Sequence, residues 1–246
     1  MLSNNDKKLI RSLAQGKYRR RHRLFVAEGM KVVSTIAQRY APLRLFVTET
    51  TDCSQFSIEP DIIDERQLTT ISSLQHPQGV LALFPLPEET EAVFAPQLCL
   101  ALDGVQDPGN LGTIIRVADW FGIRHIVCSH DTADAYAPKV VQATMGSVAH
   151  VDVHYVDLPQ WLHANQHTMP VAVTSLRGTN IYDAQLPSHA IIVMGNEGNG
   201  VSEAVMQQAS MQLRIPSYSS NSDGAESLNV AMATAIVCAE WRRQHS

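Results

Sequence analysis

The sequence has few cysteines and no long apolar segment, and both absences limit what the protein can be. Its four cysteines, in 246 residues, form no C-x-x-C pair and no Cys/His cluster at zinc spacing. This excludes a disulfide scaffold and predicts that no metal is bound. No apolar run approaches the ~18 residues that a membrane span needs, and the N-terminus has no apolar signal segment. We therefore expect a protein of the cytoplasm without membrane contact.

Three common motifs of nucleotide-binding proteins and hydrolases are also absent. No G-x-G-x-x-G follows the first strand of the C-terminal half, and no G-x-x-x-x-G-K-S/T occurs. The chain is therefore neither a plain Rossmann dehydrogenase nor a P-loop kinase. A G-x-S-x-G elbow is missing as well, which argues against a hydrolase of the α/β type.

Positive charge is concentrated near the N-terminus. Residues 1–50 contain 11 of the 19 Lys and Arg residues and three acids, a balance of +8, whereas the whole chain has a net charge of −5. At the centre of this basic end, cations suited to phosphates surround a tyrosine ring that can stack on a base. We predict that nucleic acid binds here; the alternative is a solvated helix end. The candidate residues are Lys17, Tyr18, Arg19, Arg20, Arg21 and Arg23.

Hydrophobic periodicity predicts two α/β domains, residues 1–86 and 98–246, joined at 87–97 by a stiff, exposed linker rich in proline and acid. In the second domain strands alternate with helices, which predicts a mostly parallel sheet covered on both faces. The predicted strands are 24–26, 43–47, 80–84, 98–102, 125–129, 148–156, 171–174, 190–194 and 212–215. The predicted helices are 7–13, 30–38, 111–121, 138–145, 159–166, 202–209 and 228–243.

The loop after the first strand of the second domain, residues 103–116, has a tight Pro108-Gly109 turn. Asn110 is predicted to cap the helix that follows, and Arg116 then lies in the second turn of an otherwise apolar helical segment. The structural alternative is a capping Asn and an Arg paired with a nearby aspartate.

Two further loops, residues 194–200 and 215–230, each follow a predicted strand. The first contains three glycines within six residues, which permit close backbone approach to a ligand, and one charge, Glu197. The second places Ser227 and Asn229 at the start of the last helix, where backbone N–H groups favour hydrogen-bond acceptors. Taken alone, each loop also fits an ordinary polar turn. Because the carboxyl ends of parallel strands meet at one edge, the three loops together predict a ligand site.

In this order, the three loops resemble the signature motifs of the SpoU/TrmH family of RNA ribose 2′-O-methyltransferases, within the SPOUT superfamily. The matching segments are Asn110-Leu-Gly-Thr-Ile-Ile-Arg116, Val193-Met-Gly-Asn-Glu-Gly198, Ile215-Pro216 and Glu226-Ser-Leu-Asn-Val230. The first domain is similar to the family's L30e-like RNA substrate-binding domain, through Lys17-Tyr-Arg19, Phe25-Val-Ala-Glu-Gly29 and Gln78-Gly-Val80. The resemblance implies an α/β fold with a deep trefoil knot in the last ~80 residues, an exception to the rule that chains do not thread.

The resemblance also implies the chemistry, which is methyl transfer from S-adenosylmethionine to a ribose 2′-hydroxyl of RNA. It implies a homodimer with the first and last helices of the catalytic domain at the interface, and no metal. The catalytic positions it implies are Asn110, Arg116, Glu197, Ser227 and Asn229. The cofactor positions are Thr174, Gly195, Asn196, Ile215 and Leu228.

A guanidinium stays protonated in proteins, so we interpret Arg116 as a clamp on the target phosphate rather than as a lone base. Glu197 and Asn110 are expected to orient it, while Ser227 and Asn229 position the ribose or the cofactor carboxylate.

The resemblance favours ribosomal RNA as the substrate, because family members that act on transfer RNA usually have short basic extensions instead of an L30e-like domain. The alternatives are a transfer-RNA methyltransferase and a non-catalytic RNA-binding protein. Residues 217–224 add about four residues to the family's third motif beside the expected cofactor pocket, and we interpret them as a tolerated surface insertion.

Overall fold

The computed structural model describes residues 2–88, 90–218 and 226–245. They form two compact units: unit 1 contains residues 1–89 and 134–150, and unit 2 contains residues 90–133 and 151–246. Within the described ranges, no helix is long and apolar enough to cross a membrane. The same ranges contain no group of three or more His, Cys, Asp and Glu side chains that could hold a metal ion.

The elements alternate between helix and strand along most of the chain. The helices are α1 (Asn4–Ser12), α2 (Gly16–His22), α3 (Met30–Ala37), α4 (Glu65–Ile71), α5 (Pro108–Trp120), α6 (Pro138–Thr144), α7 (Leu158–Asn165), α8 (Glu203–Met206) and α9 (Val230–Gln244). The strands are β1 (Leu24–Glu28), β2 (Arg44–Val47), β3 (Asp61–Ile62), β4 (Val80–Pro85), β5 (Leu98–Asp103), β6 (His125–Ser129), β7 (Asp152–Val156), β8 (Val171–Asn180), β9 (Ala190–Gly195) and β10 (Met211–Arg214).

Unit 1 is built around a four-stranded sheet in the order β1-β4-β2-β3. Alternate side chains of β4 face two separate apolar clusters, because successive residues of a strand point to opposite faces. Val80, Ala82 and Phe84 lie in one cluster, and Leu81 and Leu83 lie in the other. The sheet is therefore covered on both faces.

Residues 134–150 complete one face of unit 1, although they are far from its other residues in sequence. Val141, Val148 and Ala149 lie in the same buried cluster as β1 and α3. Gly146 packs so closely that an added Cβ would lie 2.6 Å from the Cβ of Thr35. The contiguous division predicted from the sequence did not include this segment in unit 1, because apolar contacts rather than chain order define the unit.

Unit 2 contains a six-stranded parallel sheet in the order β10-β8-β9-β5-β6-β7. The central strand β5 is buried at all six positions, as expected for a parallel strand with helices on both faces. Asp103 at the end of β5 pairs with Gly195 at the end of β9, so the two following loops start side by side.

Strand β8 contains an irregularity that shapes this edge of the sheet. Gln212 of β10 pairs with Val173, but the next residue, Leu213, pairs with Thr179. Residues 174–178 are therefore extra and leave the ladder, as in a special bulge with several inserted residues. At Gly178 the strands approach so closely that a Cβ would lie 2.7 Å from the carbonyl oxygen of Gln212.

The predicted linker is held against unit 2 beyond residue 89. Ala92 is buried and its carbonyl accepts a hydrogen bond of 2.8 Å from the indole of Trp161. The Phe94 ring stacks on His125 at 4.2 Å between centroids. Although most side chains of this segment are exposed, it is not a free spacer.

The predicted fold class is confirmed, with a mostly parallel sheet in unit 2 and a small α/β unit before it. The strand predicted over 148–156 begins only at Asp152, because residues 147–149 form a 3₁₀ turn in the core of unit 1. Helices α2 and α4 and strand β3 were not predicted. The trefoil knot stays a prediction, and residues 219–224 of the predicted insertion lie outside the described residues.

Candidate active site

The carboxyl edge of the unit 2 sheet borders a cavity of about 710 Å³. Its walls are the bulge of β8, the loop after β9 and the segments on either side of residues 219–225. The five predicted cofactor residues line it: Thr174, Gly195, Asn196, Ile215 and Leu228. Two predicted catalytic residues, Glu197 and Ser227, line it as well.

Gly195 allows the loop after β9 to turn back on itself. Asn196 and Gly200 exchange two backbone hydrogen bonds of 2.9 Å, which brings Gly200 over the end of β9. A Cβ at Gly195 would lie 2.4 Å from the backbone of Gly200 and of Val201. Only glycine fits there, and Gly195 lines the cavity.

Asn196 uses its side chain to hold the loop together. Its Nδ2 donates to the carbonyl of Gly104 at 2.7 Å, and its Oδ1 accepts from the N–H groups of Gly198 at 2.9 Å and Asn199 at 3.0 Å. All of these bonds are made within the protein. Asn196 thus shapes the cavity wall through its side chain, while its backbone N–H and carbonyl are bonded to Gly200.

The other cavity residues have different environments. The hydroxyl of Thr174 donates to the carbonyl of Val193 at 2.9 Å, which joins the bulge to β9. Ile215 is half-buried, and Leu228 is 51% exposed. Ser227 is exposed and forms no hydrogen bond with any residue that the structure describes, so its hydroxyl is available to a ligand.

The prediction that Asn110 caps its helix is wrong. The cap is Asp107, whose carboxylate accepts from the N–H of Asn110 at 2.8 Å, and Asn110 is the third residue of α5. The Pro108-Gly109 pair lies inside the first turn, where a proline is well accommodated because its missing N–H is not needed. The side chain of Asn110 is therefore free for other contacts.

One residue from each of the three loops meets at Asn110. Its Nδ2 donates to Oε1 of Glu197 at 2.8 Å, and its Oδ1 accepts from Nδ2 of Asn229 at 2.8 Å. Asn229 in turn caps α9 through bonds from the N–H groups of Ala231 and Met232, at the helix start where the sequence predicted hydrogen-bond acceptors. Three predicted catalytic residues thus form one chain of hydrogen bonds beside the cavity.

Arg116 lies elsewhere. It is exposed, does not line the cavity, and makes no ion pair or hydrogen bond with a described residue. The expected orientation by Glu197 and Asn110 is not found, because six residues along a helix of 3.6 residues per turn place Arg116 on a different side of α5 from Asn110. Nor does any aspartate in the described ranges pair with it, as the structural alternative required.

Two residues of the site were not singled out in the sequence. Asp107 is one, and the signal was available, since Asp is a preferred cap and Pro108 follows it. Arg177 is the other; it lines the cavity and is exposed, and its guanidinium has no partner among the described residues. Only the register shift between β8 and β10 puts Arg177 there, and nothing in the local sequence indicates it.

The buried thiols do not provide an alternative chemistry. Burial raises the pKa of Cys238 to about 12 and moves those of Cys99 and Cys128 still higher. None of the three forms a thiolate nucleophile near neutral pH.

The predicted nucleic-acid cluster forms helix α2 of unit 1. Lys17, Arg20 and Arg21 are exposed, and the Lys17 ammonium lies 4.9 Å from the centroid of the Tyr18 ring. Without an acid in the helix, these cations present a continuous positive face to solvent.

Two of the predicted RNA-binding arginines are engaged within unit 1. Arg19 is only 3% exposed; its guanidinium donates to the carbonyl of Leu13 at 2.7 Å and pairs with Asp134 at 2.5 Å. Its prediction as an RNA contact is wrong, because the guanidinium is buried and these contacts hold it inside the fold. Arg23 is exposed but donates to the carbonyls of Leu86 and Pro87.

Two family models match the chain. Residues 97–239 match the SpoU rRNA Methylase family, and residues 4–82 match an MRM3-like substrate binding domain. A curated relative, the 23S rRNA (guanosine(2553)-2′-O)-methyltransferase RlmP of Bacillus subtilis, is 36% identical over 72% of this chain and 69% of its own length.

Solved structures match over different lengths of the chain. A TrmH-family protein from Porphyromonas gingivalis is 41% identical with a TM-score of 0.88, covering 99% of both chains. An AdoMet-bound rRNA methyltransferase from Sinorhizobium meliloti is 30% identical with a TM-score of 0.86, covering 99% of this chain and 96% of its own. A protein described for 2′-OH methylation of C/U34 on tRNA is 26% identical with a TM-score of 0.55, and covers 61% of this chain and 97% of its own.

Proposed function

Because the chain belongs to the SpoU rRNA methylase family, we propose that it transfers a methyl group from S-adenosylmethionine to a ribose 2′-hydroxyl of ribosomal RNA. The observation that supports this most directly is the hydrogen-bonded set of Glu197, Asn110 and Asn229 beside the cavity. It joins one residue from each of the three motif loops at the edge of the sheet where ligands bind in parallel α/β folds.

The lengths of the matches favour ribosomal over transfer RNA. The rRNA methyltransferase from S. meliloti covers both units of this chain, whereas the tRNA-related structure covers 61% of it. We take the substrate-binding domain in residues 4–82 as the part that distinguishes the two kinds of enzyme. Ribosomal RNA as the substrate also favours a location in the cytoplasm.

The cavity fits S-adenosylmethionine. Its volume of about 710 Å³ lies within the ~300–1,000 Å³ of small-molecule sites. Met194, Leu213, Ile215 and Leu228 provide apolar surface for the adenosine, and the exposed side chains of Arg177 and Ser227 provide hydrogen-bonding groups. Among the described residues, the charged ones that line the cavity are Arg177, Glu197 and Glu226, one negative charge in excess, which complements a cofactor with one positive charge in excess.

When bound, the cofactor supplies a methyl group on a sulfonium, ready for in-line displacement. The chain's own residues must then hold the ribose in line with it, and such positioning can supply much of the rate acceleration. Ser227 lines the cavity and its hydroxyl forms no hydrogen bond with a described residue, which supports a contact with the ribose. The role of Arg116 is to bind the target phosphate as a fixed cation, which stabilises a developing alkoxide on the neighbouring 2′-oxygen.

A homodimer through α5 and α9 completes the proposal. The exposed face of α5 includes Thr113, Arg116 and Trp120, spaced at three and four residues. The Trp120 side chain is 84% exposed, and Met232 on α9 is 60% exposed. Large apolar side chains exposed on neighbouring helices favour burial against a second copy.

Cofactor binding and RNA methylation can be tested separately. Calorimetry in EDTA is expected to show binding of S-adenosylmethionine; no binding at millimolar cofactor would contradict the proposed cofactor. Primer extension at low dNTP, with primers for both rRNA and transfer RNA, on RNA from a strain that lacks the protein is expected to lose one stop in rRNA. If the missing stop falls in a transfer RNA, or if no modification is lost, the rRNA assignment is wrong or the protein is a non-catalytic RNA binder.

A further inference from the structure

The cap of helix α5 determines which groups Asn110 can reach. Asp107 has extended backbone angles, and its Oδ1 accepts the N–H of Asn110 at 2.8 Å. The helix therefore begins at Pro108, so that Asn110 has helical backbone angles and its side chain projects from the first turn. An Asn that capped the helix itself would direct its Oδ1 to an N–H two or three residues further on.

Because Asp107 occupies the cap, both ends of the Asn110 amide are used between loops. Its Nδ2 donates to Glu197, and its Oδ1 accepts from Asn229, each at 2.8 Å. The direction of the Asn229 amide is also fixed, because its Oδ1 accepts the N–H of Ala231 at 3.0 Å and leaves Nδ2 as the donor. The two helix caps thus fix the direction of both hydrogen bonds: Asn229 donates to Asn110, and Asn110 donates to the Glu197 carboxylate at the cavity.

We propose that Asp107 is a positioning residue for methyl transfer, which acts by capping α5 and so holding Asn110 between Glu197 and Asn229. The inference rests on the proposed function, since it assigns a task within that reaction. Asp107 itself does not line the cavity, so we assign it no contact with the cofactor or the ribose. Its effect on the reaction is transmitted by the side chain of Asn110.

The chain offers a matched control for this role. Asp157 caps α7 in the same way, with its carboxylate accepting the N–H of Gln160 at 3.1 Å and a proline in the first turn. Gln160 and α7 do not line the cavity. Asp157→Ala therefore removes the same kind of cap from unit 2 without disturbing the Asn110 contacts.

The test compares Asp107→Ala, Asp107→Ser and Asp157→Ala with the wild-type protein. Loss of either cap is expected to lower Tm by about 2–4 °C. Single-turnover methylation at saturating cofactor is expected to fall about 10- to 100-fold in Asp107→Ala and to stay within about threefold of wild type in the other two variants, because serine caps nearly as well as aspartate.

A second measurement does not depend on activity. In protein made with isotope-labelled asparagine, the side-chain amide resonances of Asn110 and Asn229 are expected to shift in Asp107→Ala and to be unchanged in Asp157→Ala. Equal rates and unshifted resonances in Asp107→Ala would overturn the proposal. If Asp107→Ser is as slow as Asp107→Ala, the carboxylate rather than the cap is required, and the proposal also fails. If the wild-type protein methylates no RNA, the proposed function is contradicted. Resonances that still shift in Asp107→Ala would then support the positioning of Asn110 by Asp107.

Discussion

Gly195 is the residue at which the shape of the cavity depends most directly on the lack of a side chain. In Gly195→Ala the new Cβ would lie 2.4 Å from the backbone of Gly200 and Val201, so the loop must move away from the end of β9. We expect the Kd for S-adenosylmethionine to rise at least about tenfold, or about 1.4 kcal/mol, as measured by calorimetry.

The matched control is Gly198→Ala in the same loop, where the nearest atom to an added Cβ is Oδ1 of Asn196 at 3.5 Å. This is an ordinary contact distance, so the affinity should stay close to wild type. Equal affinities in the two variants would show that the loop after β9 does not form the cofactor wall.

Arg116 provides a second prediction for a single residue. Arg116→Ala is expected to reduce single-turnover methylation by at least about 100-fold, or ~2.7 kcal/mol, with little change in Tm, because the side chain is exposed and has no partner in the described part of the chain. Arg116→Lys should be nearly as slow, because lysine keeps the charge but does not have the planar fork that grips a phosphate at two points.

Arg124→Ala, another exposed arginine of unit 2, is the control for the removal of a positive charge. If Arg116→Ala methylates within about threefold of wild type, under ~0.7 kcal/mol of transition-state stabilisation, Arg116 is not part of the reaction. A fall in Tm without a slower rate in the folded protein would instead assign it a structural role.

At the scale of elements, α2 is the proposed RNA-binding helix of unit 1. We expect the triple variant Lys17→Ala, Arg20→Ala, Arg21→Ala to bind rRNA more weakly and to reduce the slope of log Kd against log salt by about 2, because each single-strand phosphate that a cation neutralises contributes ~0.7 to that slope. All three side chains are exposed, so Tm should not change.

The control for α2 removes three exposed cations from other places, by Lys8→Ala, Arg66→Ala and Lys139→Ala. This variant has the same net charge as the α2 triple, so a general charge effect would lower both affinities equally. An unchanged salt slope in the α2 variant would identify the helix as a solvated surface.

His125, which packs against the segment after residue 89, is expected to make the stability of the protein depend on pH. His125, stacked on Phe94, lies 3.3 Å from His154 between ring nitrogens. Burial lowers the pKa of His125, and His154 and Arg124 lower it further, against the opposing effect of Asp152. The ordinary pKa of histidine is about 6.5. As the pH falls below this value, the unfolded state binds a proton before the folded state does, so the free energy of unfolding decreases as the pH decreases.

We expect the urea midpoint of the wild type to fall between about pH 7.5 and about pH 5.5, and this fall to be smaller in His125→Phe, which keeps an aromatic ring but does not titrate. His167→Phe, at an exposed histidine of unit 2, should keep the wild-type dependence. Identical dependence in both variants would remove His125 as the cause.

The elements show which parts of the molecule could be predicted from sequence. The strands β5, β6 and β9 and the helix α9 were predicted to within two residues of their observed ends, because long apolar runs with clear turn signals decide them. Helix α2 was missed because its run of cations has no apolar periodicity, and it is held by the buried Arg19 and its contacts.

The candidate site was predictable in composition but not in its connections. The cavity combines Gly195, Ile215 and Leu228 as expected. The bond from Asn110 to Glu197 spans 87 residues of chain and depends on where α5 starts. The sequence predicted Asn110 as the cap of this helix, whereas the cap is Asp107. Long-range side-chain contacts of this kind follow from tertiary packing and leave no local pattern.

For the whole molecule, the central question is whether one copy contains a complete site. The cavity and the Asn110 contacts lie in unit 2, but Arg116 faces solvent beside Trp120 rather than the cavity. In the proposed homodimer a second copy covers this face of α5. The exposed indole of Trp120 is then buried at the interface, and Arg116, which has no partner among the described residues, lies beside it.

Trp120→Glu is therefore expected to dissociate the dimer, because it replaces a large apolar contact with a charge that must be buried to associate. Sedimentation velocity at micromolar protein should show a dimer for the wild type and a monomer for this variant, with an unchanged far-UV spectrum. Val93→Glu is the matched control: Val93 is also an apolar residue of unit 2 and is 81% exposed, but it lies outside α5 and α9. A wild-type protein that sediments as a monomer, or a Trp120→Glu variant that stays dimeric while Val93→Glu dissociates, would place the interface elsewhere.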